Sequence, residues 1–299
     1  MHQYLRAIGY QSISDNRKVQ DILQEIRQTP EEISVANVFG ESARLMSLKG
    51  FCADDIGILY CGEYLGDLNF YPEFYVPFLD NHIVTTAEMV RLERHSGQAS
   101  YMGVLEDNRV GITLIFFLTN AYDCISRMAL NSDRIAGYGG IAFSGLSTDG
   151  CVLLPIRRDM QTAESEKKQQ WKRNLLIQGA RNGDEKAIEH LTREDIETYS
   201  MIAKRLERED VYSIVNTYFM PAGYESEKYS LLGDIIAIEE VMNRYSEEKL
   251  WKLWLNCNDM ELPILIHKDD LLGEPAVGRR FKGIVWLQGR VLFDSGQNM

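Results

Sequence analysis

Residues Leu262 to Phe293, LPILIHKDDLLGEPAVGRRFKGIVWLQGRVLF, decide the reading of the fold. Two strand-like runs flank a short turn and a Gly/Pro-rich connection, and the second run carries Arg280, Lys282, Trp286 and Arg290 at even spacing. Alternate side chains of a strand share a face, so these four line one side while Phe281, Val285 and Leu287 line the other. The stretch closes a small β-rich unit, and its cation and Trp strip is a candidate binding face. Stacking one base on an aromatic contributes about 1–3 kcal/mol, so one Trp with three cations suits a weakly held anionic or aromatic ligand. Alternatively, Trp286 packs beneath a helical segment and the cations pair with acidic groups around them.

The strand pattern continues upstream through Val211 to Phe219, Leu231 to Glu240 and Lys249 to Cys257, with Asn258-Asp259 as a tight-turn signal before Leu262 to His267. Lys268 to Leu272 suits one helical turn. Five short strands with such a turn before the last match the element count of an OB-like small barrel, and equally of a curled five-stranded sheet. From Thr162 to Glu207 the chain is rich in Glu, Lys, Arg and Gln, with breaks at Asn182-Gly183-Asp184 and at Thr192, where Thr192-Arg193-Glu194-Asp195 is a variant capping box.

The first half reads as an opening strand, an amphipathic helix from Asp15 to Gln28 ended by Thr29-Pro30, and strands at Ile56–Tyr64 and Met89–His95. Tyr101–Glu106 and Val110–Leu118 form a hairpin around Asp107-Asn108-Arg109. Asn120 caps a helix from Ala121 to Leu130. Gly139–Leu146 and Cys151–Ile156 form a second hairpin around Ser147-Thr148-Asp149-Gly150. The predicted class is α+β: a mainly antiparallel N-terminal sheet with helices over residues 1–158, a helical connector over 159–208, and a β-rich, OB-like domain over 209–299.

The formal charge of −12 divides as −6 over residues 1–158, zero over 159–208 and −6 over 209–299. No segment has the basic excess that phosphate binding demands, which argues against duplex nucleic acid as a partner. The apolar runs are too short to span a bilayer, and no signal-peptide apolar region follows the first residues, so the expectation is a cytoplasmic protein without membrane association. Five scattered cysteines, Cys52, Cys61, Cys124, Cys151 and Cys257, with no C-x-x-C pair, read as reduced, mostly buried thiols.

Leu68 to Leu79, LNFYPEFYVPFL, crowds Phe70, Tyr71, Phe74, Tyr75 and Phe78 into a stretch broken by Pro72 and Pro77, a pattern unsuited to a regular central strand. It either covers the core or walls a pocket or partner surface through Phe70, Tyr71, Phe74 and Tyr75. Glu93 and His95 share a strand face with Arg91, either as an acid–base pair or as an ordinary solvated ion pair. Asp54, Asp55, Glu63 and Asp67 offer oxygen donors, but their spacing matches no Ca²⁺ loop, and the five histidines are too dispersed for a zinc helix. No metal and no cofactor is expected, and no catalytic residue is assigned: phosphate-loop, zinc and nucleophile-elbow patterns are all missing from the sequence.

NGDEKAIEHLTREDIETYSMI from Asn182, EDVYSIVNTYFMPAGYE from Glu209, KDDLLGEPAVGRRFKGIVWLQG from Lys268 and the opening MHQYLRAIGY together resemble a family of unknown function found in anaerobic Gram-positive gut bacteria. The resemblance spans most of the chain. It implies a bacterial cytoplasmic setting and a whole chain, and carries over no activity, cofactor or catalytic residue. The expected function is therefore a non-enzymatic binding or adaptor protein for a protein partner or small ligand. The alternatives are an enzyme with its site between the two halves and, more weakly, single-strand nucleic-acid binding through the last strand. No pattern in the sequence specifies an oligomeric state.

Overall fold

A computed structural model describes residues 3–10, 16–37, 44–65, 69–95, 99–128, 134–156, 172, 175–177, 179–180, 182–194 and 211–294. The fold is α+β. Four strands, β1 (Glu32–Asn37), β2 (Arg44–Ala53), β3 (Ile56–Leu65) and β4 (Asn69–Leu79), form an antiparallel sheet in chain order. The aromatic run expected as a broken loop is β4, and its position explains how it tolerates two prolines. It is the last strand of its sheet, so Pro72 and Pro77 remove no ladder bond on the open side. A register shift opposite Cys61 and Gly62 absorbs one residue between Pro72 and Phe74.

Helix α1 (Asn16–Gln28) lies against this sheet through buried Val19, Leu23 and Ile26, as its spacing predicted. Its backbone ends where Thr29 N–H donates to Glu25 O. The opening residues are not a strand. Gln3–Ile8 is a 3-10 helix that buries Tyr4, Leu5, Ala7 and Ile8, packing chiefly on the second sheet.

In that second sheet, β5 (Arg91–Arg94), β6 (Tyr101–Asp107) and β7 (Ile112–Leu118) form an antiparallel wing, with the β6–β7 hairpin where the alternation placed it. Next come β8 (Tyr138–Leu153), β9 (Tyr218–Pro221), β10 (Lys228–Met242), β11 (Lys249–Cys257), β12 (Met260–His267), β13 (Leu271–Leu272) and β14 (Arg280–Phe293). Five of these close on themselves: β8 pairs β12 in parallel, and the pairs β12–β11, β11–β10, β10–β14 and β14–β8 are antiparallel. The wing joins the ring where β7 pairs β14 in parallel.

The ring differs from expectation in its fifth strand. Val211–Ile214 is a helical turn, and only Tyr218–Pro221 pairs, on the side of β10. The place is taken by β8, one continuous 16-residue strand where the sequence suggested a hairpin. Ser147, Asp149 and Gly150 are turn-forming types serving a different need here. Val285 and Ile264 converge on Gly145, and Phe281 and Ile266 converge on Gly150, where an added Cβ would lie 2.2 and 2.5 Å from the nearest side-chain atom. The glycines let β8 close a narrow ring whose centre is filled by these fully buried side chains. Asn258 and Asp259 both adopt positive φ (53° and 61°), the two-residue hairpin geometry their identity suggested.

Asn120 precedes α2 (Ala121–Arg127) without capping it through its side chain. Its amide instead donates from Nδ2 to Val291 O and accepts from Val291 N–H, imitating one step of a β-ladder. Most of the connector lies outside the described residues; residues 185–194 are helical. The start is capped by Asp184 Oδ1, which accepts from Lys186 N–H at 3.0 Å. Thr192 sits inside this helix rather than before a new one, with its hydroxyl donating to Ile188 O.

Candidate functional site

The four residues of the β14 strip do not gather into one open face. Arg280 is buried and donates to Leu154 O, Val215 O and Tyr212 O, tying two peripheral segments to the ring. Lys282 lies 4.4 Å over the Tyr212 ring, and its side-chain hydrogen bond with Tyr212 raises its pKa. Trp286 is buried, stacked on Tyr4 with centroids 5.3 Å apart, and donates from Nε1 to Glu227 Oε2 at 2.8 Å. Arg290 reaches Asp80 Oδ2 at 2.9 Å. The facing set, Phe281, Val285 and Leu287, is fully buried, as alternation requires.

Of the β4 aromatics, Phe70 is buried and meets Tyr60 edge-on at 5.3 Å, while Tyr71 is exposed. Phe74 and Tyr75 are half-buried and pack on the core. Phe74 also lines a cavity of about 10 Å³, room for about one water, together with Cys61, Ser100 and Tyr122.

His95 is not partnered by Glu93, which points to solvent. Its Nε2 lies 2.9 Å from Glu227 Oε1, and its Nδ1 lies 3.0 Å from Ser100 Oγ. Glu227 thus joins His95 to Trp286 from 132 positions away in sequence, a proximity that no local spacing encodes. The carboxylate raises the imidazole pKa above its ordinary value. A raised folded-state pKa means that the stabilisation is present below the ordinary histidine value and is lost as pH rises through the raised one. His95→Gln is therefore expected to destabilise the protein more at about pH 5.5 than at about pH 9. Urea unfolding of both proteins at the two pH values checks this, and an equal loss at both contradicts it.

Among the described residues, no three His, Cys, Asp or Glu side chains come together as metal ligands. Asp55 instead contacts His82 at 3.1 Å and lies 3.6 Å from Lys252. Asp67 lies outside the described residues.

A larger concavity opens between α1 and the four-stranded sheet. It encloses about 300 Å³, at the lower end of the range for small-ligand sites. Ile22, Glu25, Ile26 and Thr29 come from α1 and its end, Glu31 from the approach to β1, Gly50 and Phe51 from β2, and Ile58 from β3. Tyr10 and Tyr245 complete the lining. The local reason for the opening is that Gly50 lets Ile26 approach the sheet so closely that a Cβ would stand 2.4 Å from Ile26 Cγ1. The helix is pinned there, while Ile22, one turn earlier, remains only partly buried.

The polar groups of the groove are arranged by short-range bonds. Glu31 Oε1 accepts from Phe51 N–H at 2.9 Å. Asn243 Oδ1 accepts from Tyr245 N–H and Ser246 N–H, while its Nδ2 donates to Ile8 O, so one fully buried amide sets both the Tyr245 turn and the end of the 3-10 helix. Burial raises the Tyr10 phenol pKa and pushes the neighbouring Cys52 thiol up to about 12, so both stay neutral near pH 7. The Tyr245 phenol is raised by desolvation and by the charges of Glu25 and Glu31.

A family model described as a domain of unknown function from an E. rectale gene, DUF3881, matches residues 5–289. The chain belongs to this family. No curated protein and no solved structure matches it. The match runs from the 3-10 helix to β14, so in this DUF3881 chain both sheets and the groove lie within the family's span. No helix among the described residues of the DUF3881 chain is long and apolar enough to cross a membrane. Sequence reasoning passed over the groove because its residues come from separate segments, and Ile22, which belongs to the apolar stripe of α1, is only half-buried in the fold.

Proposed function

We propose that the protein is a cytoplasmic, non-enzymatic binding protein whose small-ligand site is the groove between α1 and the four-stranded sheet. The observation that carries this is the 300 Å³ concavity, lined by three isoleucines and two tyrosines with a few polar groups at its edge. Five unpaired cysteines, four of them buried, fit the cytoplasmic part of the reading. An OB-like description of the ring belongs to the same proposal, since five strands close around a packed interior. Soluble fragments that raise the melting temperature are expected to lose that effect in Ile22→Trp, whose larger side chain fills the groove. Stabilisation that survives this substitution overturns the assignment of the site.

The second reading, an enzyme with its site between the two halves, has one supporting observation: His95 stands between Ser100 Oγ and the Glu227 carboxylate. Ser100 faces a space for only about one water, so a substrate would have to open the fold around it. A fluorophosphonate that labels the wild type and spares Ser100→Ala supports this reading, and unlabelled wild-type protein counts against it.

A further inference from the structure

We infer that the groove selects an organic cation, a protonated amine or quaternary ammonium carried on an apolar body. This rests on the proposal that the groove is the binding site. Its edge holds two carboxylates, Glu25 and Glu31, and among the described residues that line it none is Lys, Arg or His. Arg244, whose charge also reaches Tyr245, donates from Nη2 to Phe51 O at 3.3 Å. Glu31 uses Oε1 for Phe51 N–H, which fixes the carboxylate rather than neutralising it. Both carboxylates raise the Tyr245 phenol pKa, each by more than Arg244 lowers it, so the field of the pair reaches the aromatic part of the lining.

An apolar body has its complement in Ile22, Ile26 and Ile58. A cationic head gains both from the carboxylates and from the exposed ring of Tyr245, because aromatic rings attract ammonium groups electrostatically. A neutral ligand gains only the apolar contacts, and an anion meets two like charges.

Calorimetric titration of the full chain with benzyltrimethylammonium, benzylamine, benzyl alcohol and benzoate separates these terms. The two cations are expected to bind about tenfold more tightly than benzyl alcohol, with benzoate weaker still. The double variant Glu25→Gln/Glu31→Gln is expected to erase the cation preference while keeping the acceptor for Phe51 N–H, and benzyl alcohol binding stays unchanged. Equal affinity for cation and alcohol, abolished by Ile22→Trp, overturns the inference and leaves the groove as the site. Cation binding that persists in both variants, or no binding of any probe, overturns the inference and the groove assignment together.

Discussion

Asp80→Ala is expected to lower the unfolding free energy by about 3–5 kcal/mol, because it leaves a buried cation without its counter-charge. Asp80 follows β4 and is 3% exposed in its side chain; it is paired with Lys49 Nζ of β2, 7% exposed, and with Arg290 of β14. Thr119 Oγ donates to the other carboxylate oxygen at 3.3 Å, and Lys49 Nζ stands 4.6 Å over the Phe78 ring. The ion pairs bridge the two sheets. Glu32, which lies 3.5 Å from Lys49 and is half-exposed, is too hydrated to replace Asp80. Because the cost is that of an orphaned charge rather than of a lost attraction, Lys49→Met/Asp80→Leu, which leaves only the part-exposed Arg290 without its partner, is expected to recover part of the loss. The comparison is made by urea unfolding. A single-variant loss below about 1 kcal/mol, the range of surface ion pairs, contradicts the bridge.

Gln288→Leu is expected to cost about 2–6 kcal/mol, the penalty for two buried backbone groups left without partners. Gln288 is fully buried on β14 and faces the edge of β4. Its Oε1 accepts from Leu79 N–H at 3.0 Å, and its Nε2 donates to Pro77 O at 2.9 Å. One side chain thereby satisfies the open edge of the four-stranded sheet, where a further strand would otherwise pair. Leucine has similar volume and no polar atom, so the loss isolates the hydrogen bonds from packing. Amide hydrogen exchange at Leu79 is expected to accelerate in the variant; unchanged protection there would show that water or a shifted backbone takes over the bonds.

What was readable in the sequence is local, and what was not is the partner of each local unit. The β6–β7 hairpin, α1 and the Asn258-Asp259 turn followed from alternation, helical spacing and turn chemistry within a few residues. Ser147-Thr148-Asp149-Gly150 read as a turn because the same small residues that permit a turn also permit the close approach of Phe281 and Ile266 inside a closed ring. The parallel pairing of β8 with β12 joins residues more than a hundred positions apart, which no period reveals. The β14 strip was visible as a pattern of types, but its meaning depends on Tyr4, Asp80, Tyr212 and Glu227, each contributed by a distant segment. The groove left the weakest trace, since a concavity forms from apolar residues that are not fully covered, and a sequence does not record coverage.

Chemical-shift mapping of the isotope-labelled full chain with benzyltrimethylammonium locates the site without relying on any variant. Perturbations are expected at Tyr10, Ile22, Ile26, Ile58 and Tyr245, with the resonances of Trp286 and Arg290 unmoved. Perturbations centred on Trp286 and the β14 strip, or none at saturating ligand, would contradict the groove as the site.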